Sequence, residues 1–516
     1  MLDMHKHSRI VAAALGLVLL GGLIWPESPP APLSLADSAP FTWDRANLFR
    51  TLEQQFASAR ASSLEATEQQ TNALTQQGRQ LLAEIERSGA TVPFELLADL
   101  ESIQFHLAAL AAAHEPLLHE AAALMKTVRI TVMRAARAWP IDRPGVHEAI
   151  YRVIYGGRTA LEEALVQHRS DALPPLVAIE DVSSAAPSAV VNGVTVHSGD
   201  IVLSRGGAPT SALIARGNDF PGHFSHAALV HVDAETGVVT VIESLIEHGV
   251  VLTTLDRYLE DKKLRMLLLR PRPEHPVLAK DPQAPHRAVT AMLARARAQR
   301  IPYDFAMDWN DATAFFCSEV PYHAYQSIGV DLWSSVSHLS SPGLVAWLNS
   351  LGVQHFVTIV PSDLEYDPDL AAVAEWRNPE TLRQDRFDNA TMDALLEGAD
   401  RGDRLGYAWY HLPMARVVKT WSILQEPLGF KPMIPEGINA SIALRVDSLS
   451  KKVHPVARQA IEQAAIRFKE SNSYEPPYWS LIDLARQAVM EHREKLAPAL
   501  KPARAIIPMP QKGALT

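Results

Sequence analysis

This chain of 516 residues has one cysteine, Cys317, and it stands where a thiol can do chemistry. In Phe315-Phe316-Cys317-Ser318-Glu319-Val320 an aromatic approach gives way to a segment that reads as helix through Tyr322 and Tyr325. A thiol at a helix start faces unpaired backbone N–H groups and the positive end of the helix dipole, which favour thiolate. A thiolate nucleophile needs a base, and His226 in Phe224-Ser225-His226-Ala227-Ala228-Leu229-Val230 is the best placed, a polar ring opening an apolar strand. A third group should orient the imidazole. The turn-forming run Asp233-Ala234-Glu235-Thr236-Gly237 links that strand to Val238-Val239-Thr240-Val241-Ile242-Glu243. A hairpin centred between Ala234 and Glu235 sets Glu243 directly across from His226, on the same face. A carboxylate inside such an apolar run needs a partner, and a one-residue slip would send it to the other face.

Zinc is the main rival use of these residues, with His223, His226 and His231 joined by Cys317. Alternation opposes it: His226 and His231 differ by five positions and face opposite sides of a regular strand. No metal and no cofactor is therefore expected. Asp200, Asp304 and Glu319 read as structural carboxylates, two at turns and one in a first helical turn.

The elements that must position these groups are short strands, read at Val190–Val196 around Asn192-Gly193, Asp200–Arg205, Ser225–Val232, Val238–Ser244, Val250–Thr253 and Leu264–Leu269. They imply a small antiparallel sheet, with helices at about 286–299 and from Cys317. Pro- and Ser-rich boundaries at 173–175 and 183–187 separate this region from what precedes it.

Residues 41–170 are rich in Ala, Leu, Gln and Glu and read as a helical hairpin or bundle: one element from Thr42 to Ser88-Gly89, a second from Thr91, a third over 117–138 and a fourth after Pro144. Such a bundle serves packing, or else a spacer or partner-binding arm. Residues 369–500 read as a helical extension, and 501–516 as a disordered tail. Tyr407, Trp409, Tyr410 and Trp421 are assigned to packing in preference to a substrate groove.

The start of the chain sets the compartment. Lys6 and Arg9 precede Ile10–Trp25, an unbroken run of 16 uncharged residues closed by Pro26. At 1.5 Å per residue the run spans about 24 Å, short of a full hydrocarbon core. Residues 1–26 thus read as a signal peptide or an N-terminal membrane anchor, and both leave the rest exported, at a periplasmic or other extracytoplasmic face. No later segment is expected to be long and apolar enough to span again. Lysine and arginine number 48 against 58 aspartates and glutamates, a net charge of −10, so no broad positive field exists to collect nucleic acid.

Ser198-Gly199-Asp200-Ile201-Val202-Leu203, Phe224-Ser225-His226-Ala227-Ala228-Leu229-Val230, Val241-Ile242-Glu243-Ser244, Tyr303-Asp304-Phe305 and Phe316-Cys317-Ser318-Glu319-Val320 together resemble the permuted papain-like cysteine hydrolases of the NlpC/P60 superfamily, of the YiiX/YebB type. The order His, acid, Cys is the permuted one. The resemblance covers about Val190 to Asp367. It implies an α+β protein: a permuted papain-like core at 190–368 with a small antiparallel sheet, flanked by the helical bundle and the helical extension. It also implies Cys317 as nucleophile, His226 as base and then acid, Glu243 as orienting residue, and Tyr303, from the Tyr-Asp pattern, as an oxyanion or substrate-positioning group. The implied substrate is an amide or peptide-like bond. The acyltransferase branch of the same superfamily offers a lipid ester or acyl transfer, and a binding-only envelope scaffold is the reading of another class.

Overall fold

The computed structural model describes residues 27–168, 171–425, 432–497 and 499–501. The expected signal or anchor, 1–26, and all of the expected tail except Lys501 lie outside the described residues.

The helical region runs Arg45–Ala61, Leu64–Arg87, Phe94–Ala113, Leu118–Ala136 and Val146–Val166. The single helix expected up to Gly89 is two. Ser63 is extended and its side chain accepts the Ala66 N–H at 3.3 Å, so a serine that reads as a mild interruption acts as an N-cap. Phe94–Ala113 also corrects the expectation about spans, since it is long and apolar enough to cross a membrane. Here it is the bundle's central helix, buried at Leu97, Leu100, Ile103, Leu107 and Leu110. Helix Val146–Val166 lies close against it: a Cβ on Gly157 would stand 2.0 Å from the Gln104 side-chain amide, so a larger residue there would force that buried amide to move.

The β-elements are β1 (Leu176–Ala178), β2 (Ser188–Val191), β3 (Val194–His197), β4 (Ile201–Gly206), β5 (His226–Val232), β6 (Val239–Leu245), β7 (Gly249–Thr254), β8 (Lys263–Pro271), β9 (Ser337–His338), β10 (Val357–Thr358) and β11 (Leu370–Arg377). Seven of them form one antiparallel sheet in the order β1-β11-β8-β4-β5-β6-β7. The expected hydrolase boundaries, 190 and 368, are thus both crossed: β1 precedes the first, and β11 follows the second and pairs along β8. The expected helical extension therefore opens on a strand of this sheet. Lys501, expected in the tail, pairs with Arg404.

Ala227 and Leu229 of β5, Leu203 of β4 and Ile242 of β6 share one core with helix Ala284–Ala298 and the Cys317 segment. At the head of β4, Gly199 has φ +101°, and a Cβ there would meet Pro285 at 2.5 Å and the Tyr325 hydroxyl at 2.9 Å. That hydroxyl donates to the Gly199 carbonyl, tying helix Glu319–Gln326 to the sheet.

Bundle and sheet are joined by buried charge. Arg158 of the bundle reaches Glu365 at 2.7 Å and Glu375 of β11 at 3.2 Å. Arg265 of β8 forks onto Glu162 of the bundle at 2.7 and 3.0 Å and reaches Asp385, on the following helix Pro379–Asp400, at 2.8 Å. Arg205 of β4 completes the cluster at 3.2 Å from Asp385. The bundle is packed as part of the same body as the sheet.

Candidate active site

β5 and β6 carry two of the three groups, but in a different register from the one expected. Glu243 pairs with Ala228, and His226 lies two positions further along β5. The cause is the turn. The Asp233 carboxylate accepts the Glu235 and Thr236 N–H groups and the Thr236 hydroxyl, and Gly237 has φ +69°, which moves the hairpin centre one residue toward the C-terminus. Moving the centre by one shifts every pair by two, an even number, so His226 and Glu243 stay on one face. As diagonal neighbours they meet at 2.8 Å, His226 Nε2 to Glu243 Oε2.

Glu243 is buried, and its second oxygen accepts the Thr253 hydroxyl of β7 at 2.9 Å. Burial pushes its pKa up, but the hydrogen bond and charge of His226 and the Thr253 bond outweigh this and hold it below the ordinary value. His226 is the converse. Burial pushes it down, while side-chain hydrogen bonds to Cys317 and Glu243 and the negative charge of both raise it to about 9. With Nε2 given to Glu243, the other ring nitrogen is the one left for the sulfur.

Cys317 is buried, 5% exposed, with Sγ 4.0 Å from the Ser225 carbonyl at the head of β5. Regular helix begins at Glu319, two residues after Cys317, where the sequence places its start at the cysteine. The approach is fixed on both sides. Ser244, next to Glu243, donates to the Phe315 carbonyl at 2.5 Å, and Glu319 folds back to accept the Phe316 N–H at 2.6 Å. Burial pushes the Glu319 carboxyl up to about 10, against the opposing Phe316 bond, and the charges of Asp304 and Cys317 push the same way. A neutral acid therefore stands beside the sulfur, where an anion in the first helical turn is expected of Glu319.

Tyr303 is half-buried beside this cluster, its ring 4.8 Å from Phe305. Burial and then the charge of Cys317 raise its pKa well above the usual phenol range, so it keeps its proton and can donate. Asp304 accepts the N–H groups of Ala306 and Asp308 and shapes the loop that presents Tyr303. Asp200, at the turn before β4, takes both ends of the Arg270 fork at 2.8 Å and accepts the His197 N–H at 2.8 Å, a structural role at a turn as expected.

The histidines of the zinc alternative are dispersed. His223 stacks on Tyr155 of the bundle at 4.7 Å, and His231 on His286 at 5.6 Å. Among the described residues no group of three or more His, Cys, Asp or Glu side chains could hold a metal ion.

Sequence reading missed Thr253, Ser204 and Tyr258. Ser204 pairs with His226 across β4 and β5, and the buried Tyr258 hydroxyl donates to it at 3.2 Å. Only the strand register could have revealed them.

The raised His226 and lowered Glu243 make a pH statement. The raised imidazole contributes stability that is fully present below its ordinary value of 6.5 and is lost as pH rises through about 9. The lowered carboxylate contributes stability present above its ordinary 4.5 and lost as pH falls below it. Urea midpoints of the wild type and of His226→Ala are therefore expected to converge between pH 6.5 and 9, and parallel curves would contradict the pairing. Thr253→Val, which removes one support of Glu243, is expected to lower Cys317 alkylation at pH 6 a few-fold while leaving the rate at pH 9.5 unchanged.

Residues 195–374 match the family model described as permuted papain-like amidase enzyme, YaeF/YiiX, C92 family. The match spans β4 to β8, Cys317 and most of β11, so this segment is similar to the permuted papain-like amidases, as the resemblance implies. No curated protein and no solved structure matches the chain.

Proposed function

We propose, from the match of residues 195–374 to the permuted papain-like amidases, that this chain is a thiol hydrolase cleaving an amide, peptide-like bond in the cell envelope. The observation that carries the reading is His226 held between Cys317 and the buried Glu243 carboxylate, a pairing that outweighs burial and keeps the ring charged at neutral pH.

Cys317 Sγ, its proton on His226, attacks the amide carbonyl carbon and forms a tetrahedral oxyanion. The Cys317 N–H at the threshold of helix Glu319–Gln326 and the Tyr303 hydroxyl are the donors proposed for that oxygen. Collapse breaks the C–N bond, and His226 gives its proton to the leaving amine, which leaves a thioester on Cys317 and a neutral imidazole. Water then attacks the thioester carbon as His226 takes its proton, and the acid departs from the sulfur. Glu243 keeps the ring oriented and offsets its charge throughout.

We also propose that residues 1–26 direct this chemistry outside the cytoplasm and that 10–25 anchor the enzyme at the inner membrane.

Intact-mass analysis of the full chain after brief exposure to peptide amides and, separately, to lipid esters tests the reading. An acyl adduct on Cys317 that forms from a peptide amide and is released by hydroxylamine is expected. An adduct from lipid esters alone would replace amide cleavage by ester hydrolysis or acyl transfer. No adduct from either, with folding intact, would leave a binding scaffold.

A further inference from the structure

Helix Leu412–Gln425 has two unlike faces. Leu412 and Ala415 are buried against Ala440, and Val418 packs with Ile434, Ile438 and Ile442, so the inner face is accounted for by the protein itself. Ser422 on the same side accepts the Met433 and Ile434 N–H groups at 3.1 Å. On the outer side Met414, Val417, Trp421 and Leu424 follow at steps of three and four, and each is more than half exposed, from 56 to 66%. Trp409 and Tyr410, in the turn that leads into the helix, extend the same apolar surface at 67 and 64%. The packing role expected of Trp409, Tyr410 and Trp421 is therefore not the one they have. Six large apolar residues, four on one helix face and two in the turn before it, are far more than scattered surface hydrophobics, and patches of this kind mark interaction sites.

The chain itself indicates what covers the patch. Arg416, on the flank of the same helix, pairs with Glu27 at 3.1 Å. Glu27 is two residues beyond Trp25, the last residue of the hydrophobic run 10–25. The described chain therefore begins against this helix, two positions from the end of that run. Tryptophan and tyrosine are also the side chains that favour the headgroup level of a bilayer, with the ring in the apolar layer and the polar edge wet.

We propose that the outer face of helix Leu412–Gln425, with Trp409 and Tyr410, docks on the lipid bilayer that residues 10–25 enter, lying in its interface as a second, non-spanning contact. Two contacts instead of one fix the orientation of the hydrolase domain relative to the membrane, where a lone anchor leaves it free to tumble. The inference rests on the anchor reading above.

The test uses the full chain reconstituted into vesicles of three parts phosphatidylethanolamine to one of phosphatidylglycerol. Cys317→Ser frees the protein of its own thiol, and Leu424→Cys, Trp421→Cys or, as a control on the exposed bundle surface, Gln69→Cys is then labelled with an environment-sensitive fluorophore. Brominated acyl chains are expected to quench labels at 424 and 421 by about twofold or more, and the label at 69 not at all. Adding Met414→Glu and Val417→Glu is expected to reduce quenching at 424 to the level of the control. Labels at 421 and 424 that behave like 69 overturn the proposal. So does a dry but unquenched signal, which would mean that residues 10–25 or a second copy cover the face. Flotation of the same samples separates the two readings: a chain that fails to float contradicts the anchor, and one that floats without quenching contradicts only the docking face.

Discussion

Cys317→Ala is expected to reduce amide turnover to the uncatalysed background, and His226→Ala to lower it by about 10²–10⁴-fold. The difference follows from the arrangement. Without the sulfur no acyl-enzyme can form. Without the imidazole the sulfur remains but must ionise unaided, and the leaving amine finds no acid. Glu243→Gln should fall between these and the wild type, because the amide can still hydrogen-bond to the ring but no longer offsets its charge. Cys317→Ala combined with His226→Ala is expected to cost no more than Cys317→Ala alone, since the two act as a unit. Steady-state rates on the peptide amide that acylates Cys317 check all four. Equal and independent losses would mean that the residues do not act on one reaction.

Glu162→Ala, far from the sulfur, is expected to destabilise the protein by about 3–5 kcal/mol, because it strands one face of the fully buried Arg265 fork without a counter-ion. Arg265 also holds Asp385, so the loss spreads from the bundle through β8 to helix Pro379–Asp400. Arg265→Ala should be at least as severe. Exposed Lys451→Ala, which removes an ion pair with Asp447 at the surface, is expected to leave the urea midpoint unchanged. Urea unfolding of the three variants distinguishes a structural lock from a set of dispensable contacts. A Glu162→Ala midpoint close to wild type would show that water or rearrangement relieves the buried charge.

The strands around the site are legible because Val, Ile and Leu runs between Gly and Asp punctuation leave few alternatives, and their limits move by one or two residues. The hairpin register was less so. Where a turn of five residues is centred depends on how the Asp233 carboxylate wraps onto Thr236, which spacing does not state. That the His226–Glu243 contact survived a shift of two positions reflects the period of two in a strand. β11 escaped because Leu370-Ala371-Ala372-Val373-Ala374 has helical propensity, and pairing with β8 overrides it. Thr253 and Tyr258 come from β7 and the helix Leu255–Glu260 behind it, so no linear pattern joins them to His226. Hydropathy alone does not sort burial: Phe94–Ala113 has the composition of a span and is the core helix expected of the bundle, while Trp421 reads as packing and is exposed.

The most direct test of the central claim is the rate of Cys317 alkylation by an electrophilic thiol probe between pH 5 and 10, in the full-length wild type and in His226→Ala. A shared proton between Cys317 and a ring held charged to about pH 9 predicts rapid labelling at pH 6 in the wild type. It also predicts a profile for His226→Ala that rises only toward the ordinary thiol value of about 8.5, with at least a tenfold lower rate at pH 6. Superimposable profiles that both rise near pH 8.5 would contradict the thiolate–imidazole pair and, with it, the assignment of this site to thiol catalysis.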